Sequence, residues 1–346
     1  MDNRSSNTVA RVAGWLVPIV CTALLLWYMF SKVDFAQMMH ILRGGVDYWW
    51  ILAAMGISVF SHIFRAARWR LQLRALGITA PFQALCCSIF GCYALNLVFP
   101  RLGEVWRCTY ISRRQKAPFS TVLGSLVADR LSDTLTVLCL TLLTFIVAAP
   151  ALTAFLTKYP VGRDLLHTLS SAWTWAAIAG GTAAVALILY LMRRSALMLK
   201  ARRMLGRLWE GFAVVARMKG RGLFLLLTLC IWGCYYIQLY VAFYAFPFTR
   251  ALCTPELAWG LVPCLVAFVL SSIGMAVPSN GGLGPWNVAV MFGLALYGVT
   301  DAQGSAFSIL QWSGQTVMLV ILGLYTMGYI ALGRKTSKPC KTATES

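Results

Sequence analysis

Long apolar runs separated by short, mostly basic loops set the pattern of this chain. Candidate membrane segments run 12–31, 48–64, 82–99, 122–149, 172–192, 222–246, 257–277, 285–299 and 304–332. A helix of roughly 20 apolar residues crosses a bilayer, and it satisfies its own backbone hydrogen bonds there. The pattern predicts an all-α membrane protein, a polytopic helical bundle with about 7–9 membrane segments. The loops are too short for a soluble domain. A single membrane domain is expected over 1–333, followed by a disordered cytoplasmic tail over 334–346.

Composition agrees with that pattern. Apolar residues make up 59% of the chain and charged residues 12%, about half the share in soluble domains. The formal charge is +19. No zinc finger or basic recognition helix accompanies it, so nucleic acid is not the expected partner. The cations lie beside the spans, where membrane lipids with phosphate headgroups are the natural counterpart. Eleven cysteines lack CxxC or Cys/His spacing and read as small packing residues.

Lys and Arg concentrate on cytoplasmic loops of membrane proteins. Here Arg65, Arg68, Arg70 and Arg74 follow the second segment, and Arg101, Arg107, Arg113, Arg114 and Lys116 follow the third. Simple alternation would put these two basic loops on opposite sides. The conflict disappears if 82–99 enters from the cytoplasm, bends at Pro100-Arg101-Leu102-Gly103 and returns. Both termini then face the cytoplasm of a bacterial inner or plasma membrane. A second break, Pro278-Ser279-Asn280-Gly281-Gly282-Leu283-Gly284, precedes the short segment 285–299. The same counting has it dip from the other face. Two re-entrant broken-helix hairpins in inverted arrangement are expected, as in transporters whose sites lie where half-helices meet. The stretch 195–217 interleaves apolar residues with Arg202, Arg203 and Arg207, a pattern suited to a helix lying on the interface.

The first break carries the most chemistry. Proline and glycine stop the helix, leaving backbone groups in need of partners. Asn96, Arg101, Glu104 and Arg107 stand beside it. Charges at membrane depth are costly and mark substrate or ion paths. Arginine binds phosphate bidentately, and Glu104 is placed to orient Arg101 and Arg107. A juxtamembrane loop with interfacial ion pairs is the plainer alternative. Asp129, Arg130 and Asp133 fall inside 122–149, with the two acids on one helical face. They either line a cavity or pin this helix to its neighbours. The Arg65-Arg68-Trp69-Arg70 cluster reads as ordinary anchoring at a helix end. Asn280, Gly281, Gly282 and Gly284 offer backbone donors to an oxyanion. His40, His62 and His167 are too scattered for a metal site, and no nucleophile–base set appears, so neither a cofactor nor catalysis is expected.

Taken together, these stretches resemble the transmembrane domain of the lysylphosphatidylglycerol synthase family, also called flippase-like membrane proteins. The likeness covers about 12–332. It rests on Arg65, Arg68 and Trp69; on Asn96 through Pro100, Arg101, Gly103, Glu104 and Arg107; on Asp129, Arg130 and Asp133; and on Pro278, Gly281, Gly282 and Gly284. Asp129 and Asn287 stand where the family pattern has glutamates. The family's best-known members add a soluble aminoacyl transferase domain, and none is expected here. The resemblance therefore implies translocation of a phospholipid or polyprenyl-linked lipid rather than its synthesis. An intramembrane transferase or phosphatase acting on a lipid-linked substrate, and a non-transporting scaffold subunit, are the alternatives.

Overall fold

A computed structural model describes residues 35–99, 101–150, 220–277 and 279–336, with a few isolated positions between 153 and 180. The described residues are helical, with no strand among them. In chain order they form α1 (Phe35–Arg43), α2 (Tyr48–Ala75), α3 (Phe82–Val98), α4 (Leu102–Gln115) and α5 (Phe119–Val147). Then come α6 (Arg221–Phe243), the one-turn α7 (Pro247–Arg250), a 3₁₀ turn at Pro255–Leu257, α8 (Leu261–Gly274), α9 (Pro285–Ala295) and α10 (Asp301–Thr336).

Five stretches are long and apolar enough to cross a membrane: Tyr48–Ala75, Phe119–Val147, Arg221–Phe243, Pro255–Gly274 and Asp301–Leu332. Phe82–Val98 and Pro285–Ala295 are shorter apolar helices. The segments expected at 12–31 and 172–192 and the interfacial stretch 195–217 fall outside the described residues, apart from isolated positions near 175–180. The second expected segment, 48–64, differs most from expectation. Its helix does not stop near 64 but continues to Ala75, so the arginines placed in a loop sit on a helix. At about 1.5 Å per residue this helix is about 42 Å long. Helix α10 likewise runs through Thr336, past the expected start of the tail at 334; residues 337–346 lie outside the described residues.

Two apolar cores organise the bundle. One gathers the first half of α2 with α6, α8, α9 and α10 around Phe243, Phe246, Val290 and Phe307. The other gathers the second half of α2 with α3, α4 and α5 around Trp69, Leu85, Ile89 and Ile111. Large apolar side chains also face outward, including Leu138, Leu142 and Ile146 on α5 and Leu225 and Leu229 on α6. In water such a surface would aggregate; facing hydrocarbon, it needs no cover.

Each core contains a tight helical hairpin. Phe99, restrained by the proline after it, is extended at φ −121° and ψ 108°. Arg101 then adopts a left-handed conformation, φ 61°, and α4 folds back along α3. Gly103 makes the close return possible: a Cβ there would collide with the carbonyl oxygen of Cys92 and lie 2.8 Å from Asn96 Oδ1. The Gly103 amide instead donates to Asn96 Oδ1 at 2.9 Å. In the second hairpin, a Cβ on Gly293 would come within 2.8 Å of Ala267 Cα, so α9 lies close against α8.

Candidate functional site

The charged residues of the apolar segments converge between α2, α4, α5 and α6. On α2, Arg65 and Arg68 are three apart and lie on the face turned to α5, where Asp129 and Asp133 are four apart on a matching face. Arg68 donates to Asp129 Oδ1 through Nε at 3.0 Å and Nη2 at 2.7 Å, and to Asp133 Oδ1 at 2.7 Å. Its remaining nitrogen donates to Thr228 Oγ1 of α6 at 3.2 Å. Arg65 donates to Asp133 Oδ2 at 2.6 Å and to the Tyr235 hydroxyl at 3.4 Å. Helix α4 supplies Arg107, which lies 3.5 Å from Asp129 Oδ2. Its guanidinium stacks over Trp69 at 4.4 Å, and Trp69 Nε1 donates to Ser125 Oγ. The Arg68, Arg107 and Asp129 side chains are fully buried.

Two expectations are corrected here. Arg65, Arg68 and Trp69 are not interfacial anchors: with α2 continuing past them, they are carried into the bundle against α5. Glu104 orients neither Arg101 nor Arg107. It pairs with Arg130 at 2.5 Å, because α5 lies alongside α4 and brings its arginine to the acid. Arg130 also lies 3.7 Å from Asp133 Oδ2. Arg101 sits at the hairpin tip, exposed and without an ion pair among the described residues.

Counted over the described residues, the cluster is not neutral. Arg65, Arg68, Arg107 and Arg130 face Glu104, Asp129 and Asp133, four cations to three anions, for a net charge of +1. Several of its donors are buried without an acceptor among the described residues: Arg107 Nε and Nη1, Arg65 Nε and Arg130 Nε. One turn along α2, both ring nitrogens of His62 are also buried and unpartnered among the described residues, with Tyr93 at 4.6 Å between ring centroids. Unsatisfied buried donors on a surplus of positive charge define a place that an anion would complete.

The two hairpin tips meet. The Gly281 amide donates to the carbonyl oxygen of Asn96 at 3.1 Å, and Trp312 Nε1 of α10 donates to the Gly281 carbonyl at 2.9 Å. Asn96 therefore ties both turns together, accepting from Gly103 through its side chain and from Gly281 through its backbone. In this conformation the Gly281 and Gly284 amides are taken, the latter by Asn287 Oδ1 at 3.1 Å. Asn280 Oδ1 and Asn287 Nδ2 remain buried and unpartnered among the described residues. Gly282 is packed against Met275. Among the described residues, no three His, Cys, Asp or Glu side chains gather as metal ligands.

Fold and site together define a polytopic helical membrane protein with a buried arginine–aspartate network beside two abutting helix breaks. The family model for the lysylphosphatidylglycerol synthase transmembrane region matches residues 15–323, and the chain belongs to that family. Among curated proteins it is similar to glycosyltransferase AglD of Haloferax volcanii, 33% identical over 135 residues, which is 39% of this chain and 21% of that protein. It is also similar to the UPF0104 membrane protein MJ1595 of Methanocaldococcus jannaschii, 24% identical over 154 residues, 44% of this chain and 41% of the relative. These likenesses thus span about a fifth and two fifths of the relatives' lengths. No solved structure matches the chain.

Proposed function

We propose that this protein moves a phosphate-bearing lipid headgroup between the leaflets of a bacterial inner membrane, without making or breaking a bond in it. The observation that carries this reading is the buried cluster of net charge +1 with unpartnered arginine donors, set beside two helix breaks that touch. A protein that needed only stability would gain little from such a network, since apolar residues of similar volume often do as well or better. On this reading the hairpins are re-entrant, α3–α4 from the cytoplasmic face and α8–α9 from the other, with both termini cytoplasmic. Arg101 meets the phosphate at the tip. Arg107, braced by Trp69 and Asp129, attracts it from behind the tip. Asp129 and Asp133 hold Arg65, Arg68 and Arg107 in place, Glu104 holds Arg130 beside them, and Asn280 and the Gly281–Gly284 turn line the approach from the opposite face.

A second reading, an intramembrane transferase on a lipid-linked substrate, draws on the printed name of the Haloferax volcanii relative. Against it, each aspartate is engaged by three arginines, Asp129 by Arg65, Arg68 and Arg107 and Asp133 by Arg65, Arg68 and Arg130, so their carboxylates are taken up in ion pairs. Product formed by purified protein from a lipid-linked donor would favour that reading.

The test is lipid movement in liposomes reconstituted with full-length protein and headgroup-labelled phospholipids. Arg101 is exposed and makes no ion pair among the described residues, so Arg101→Gln should fold and assemble as the unaltered protein does. Loss of one charge-assisted phosphate contact should slow transport about tenfold or more. Equal rates for Arg101→Gln and the unaltered protein would remove the assigned role.

A further inference from the structure

A second, chemically different feature lies on another face of α2. Val59 and Ile63 of α2, Phe82 and Phe90 of α3 and Leu322 of α10 line an apolar cavity of about 410 Å³. Positions 59, 63 and 70 fall within about 40° of one another on a helix, whereas Arg65 points well away. Arg70 therefore sits on the line of the groove, about two turns beyond Ile63. Its guanidinium lies over the ring of Phe82 at 5.7 Å, and its Nε is buried without a partner. It makes no ion pair among the described residues. The rim of the groove is polar at one place: Gln83 Nε2 donates to the Tyr325 hydroxyl at 3.2 Å. One turn further along α10, the Tyr329 hydroxyl accepts from Arg114, a second cation with no carboxylate partner among the described residues.

An apolar groove has no affinity of its own in a bilayer, because the surrounding tails are as apolar as its lining. Selectivity must come from whatever stands at its end. Here that is an unpaired, half-buried arginine whose planar fork suits a phosphate, with a second cation nearby. We propose that this groove is a binding site for one anionic phospholipid: an acyl chain lies between α2, α3 and α10, and the headgroup phosphate is held by Arg70. The site is separate from the Arg65–Asp133 network, and it stands whether or not the protein moves lipid.

The experiment uses full-length protein in nanodiscs carrying either phosphatidylglycerol or phosphatidylcholine with a photoreactive group on one acyl chain. Crosslinked peptides are then identified by mass spectrometry. Labelling is expected in the peptides containing Val59–Ile63 and Leu322. It should be about fivefold stronger for phosphatidylglycerol, in line with one arginine acting on an anionic lipid. Arg70→Gln should erase the preference while leaving the residual labelling in place. Ile63→Trp should fill the groove and abolish labelling there, with the thermal midpoint kept. Equal labelling by the two lipids, an unchanged preference in Arg70→Gln, or displacement of the phospholipid by millimolar inorganic phosphate would each overturn the assignment.

Discussion

Removing the Arg68 guanidinium is the sharpest probe of the buried network. In Arg68→Ala, Asp129 loses two hydrogen bonds, at 3.0 and 2.7 Å, and Asp133 loses one at 2.7 Å. Each charged hydrogen bond contributes about 1.5–3 kcal/mol on its own. The three do not add, because Arg65 still reaches Asp133 at 2.6 Å and Asp129 at 3.5 Å. Breaking one member out of a buried ion network costs about 3–5 kcal/mol, most of it from the uncompensated charge left behind. For a chain of this size that corresponds to a fall of about 4–7 °C in the thermal midpoint. The assay is fluorescence-detected size exclusion of detergent-solubilised protein after graded heating. Arg68→Lys should fall between the two, since it keeps the charge but not the fork. Arg68→Ala combined with Asp129→Ala should cost less than the sum of the single changes. A shift under about 2 °C for Arg68→Ala, in monodisperse protein, would mean that the network is wetted and that its burial does not govern stability.

The remaining two predictions concern the hairpins. Gly103→Ala drives a methyl group into the Cys92 carbonyl and towards Asn96 Oδ1, so it should destabilise by about 1–3 kcal/mol and speed proteolysis between α3 and α4; unchanged cleavage would show that the hairpin is not closely packed. Gly281→Ala strains a backbone at φ +58° and presses on Leu97 Cδ2 at 2.8 Å, so amide exchange should rise in peptides covering 94–99 and 279–284. Exchange unaltered in both would mean that the two tips do not support each other.

Much of the architecture was legible from one dimension. Apolar length decides that a segment can cross a bilayer, and the spans at Phe119–Val147, Arg221–Phe243 and Asp301–Leu332 lie within a few residues of the hydrophobic runs that predicted them. The break near Arg101 was legible for a local reason: proline forbids the next helical hydrogen bond, and Gly103 allows the chain to return. The chemical character of Asp129 and Asp133 was legible too, because a charge inside an apolar run needs a partner.

The partner itself was not. Spacing puts Arg65 and Arg68 on one face of α2, and it puts Asp129 and Asp133 on one face of α5. Which faces meet depends on how helices more than sixty positions apart in sequence pack together. An arginine cluster at the end of an apolar run has the same local sequence whether it snorkels to an interface or turns inward. Only the continuation of α2 to Ala75 and the placement of α5 beside it decide that it is buried. Glu104 shows the same limit: its sequence neighbours are Arg101 and Arg107, yet it pairs with Arg130. Helix period and hydrophobicity are local properties of a chain, and they fix each element and its polar face. Pairing between those faces, including Asn96 joining two turns far apart in the chain, is a property of packing that no single segment encodes.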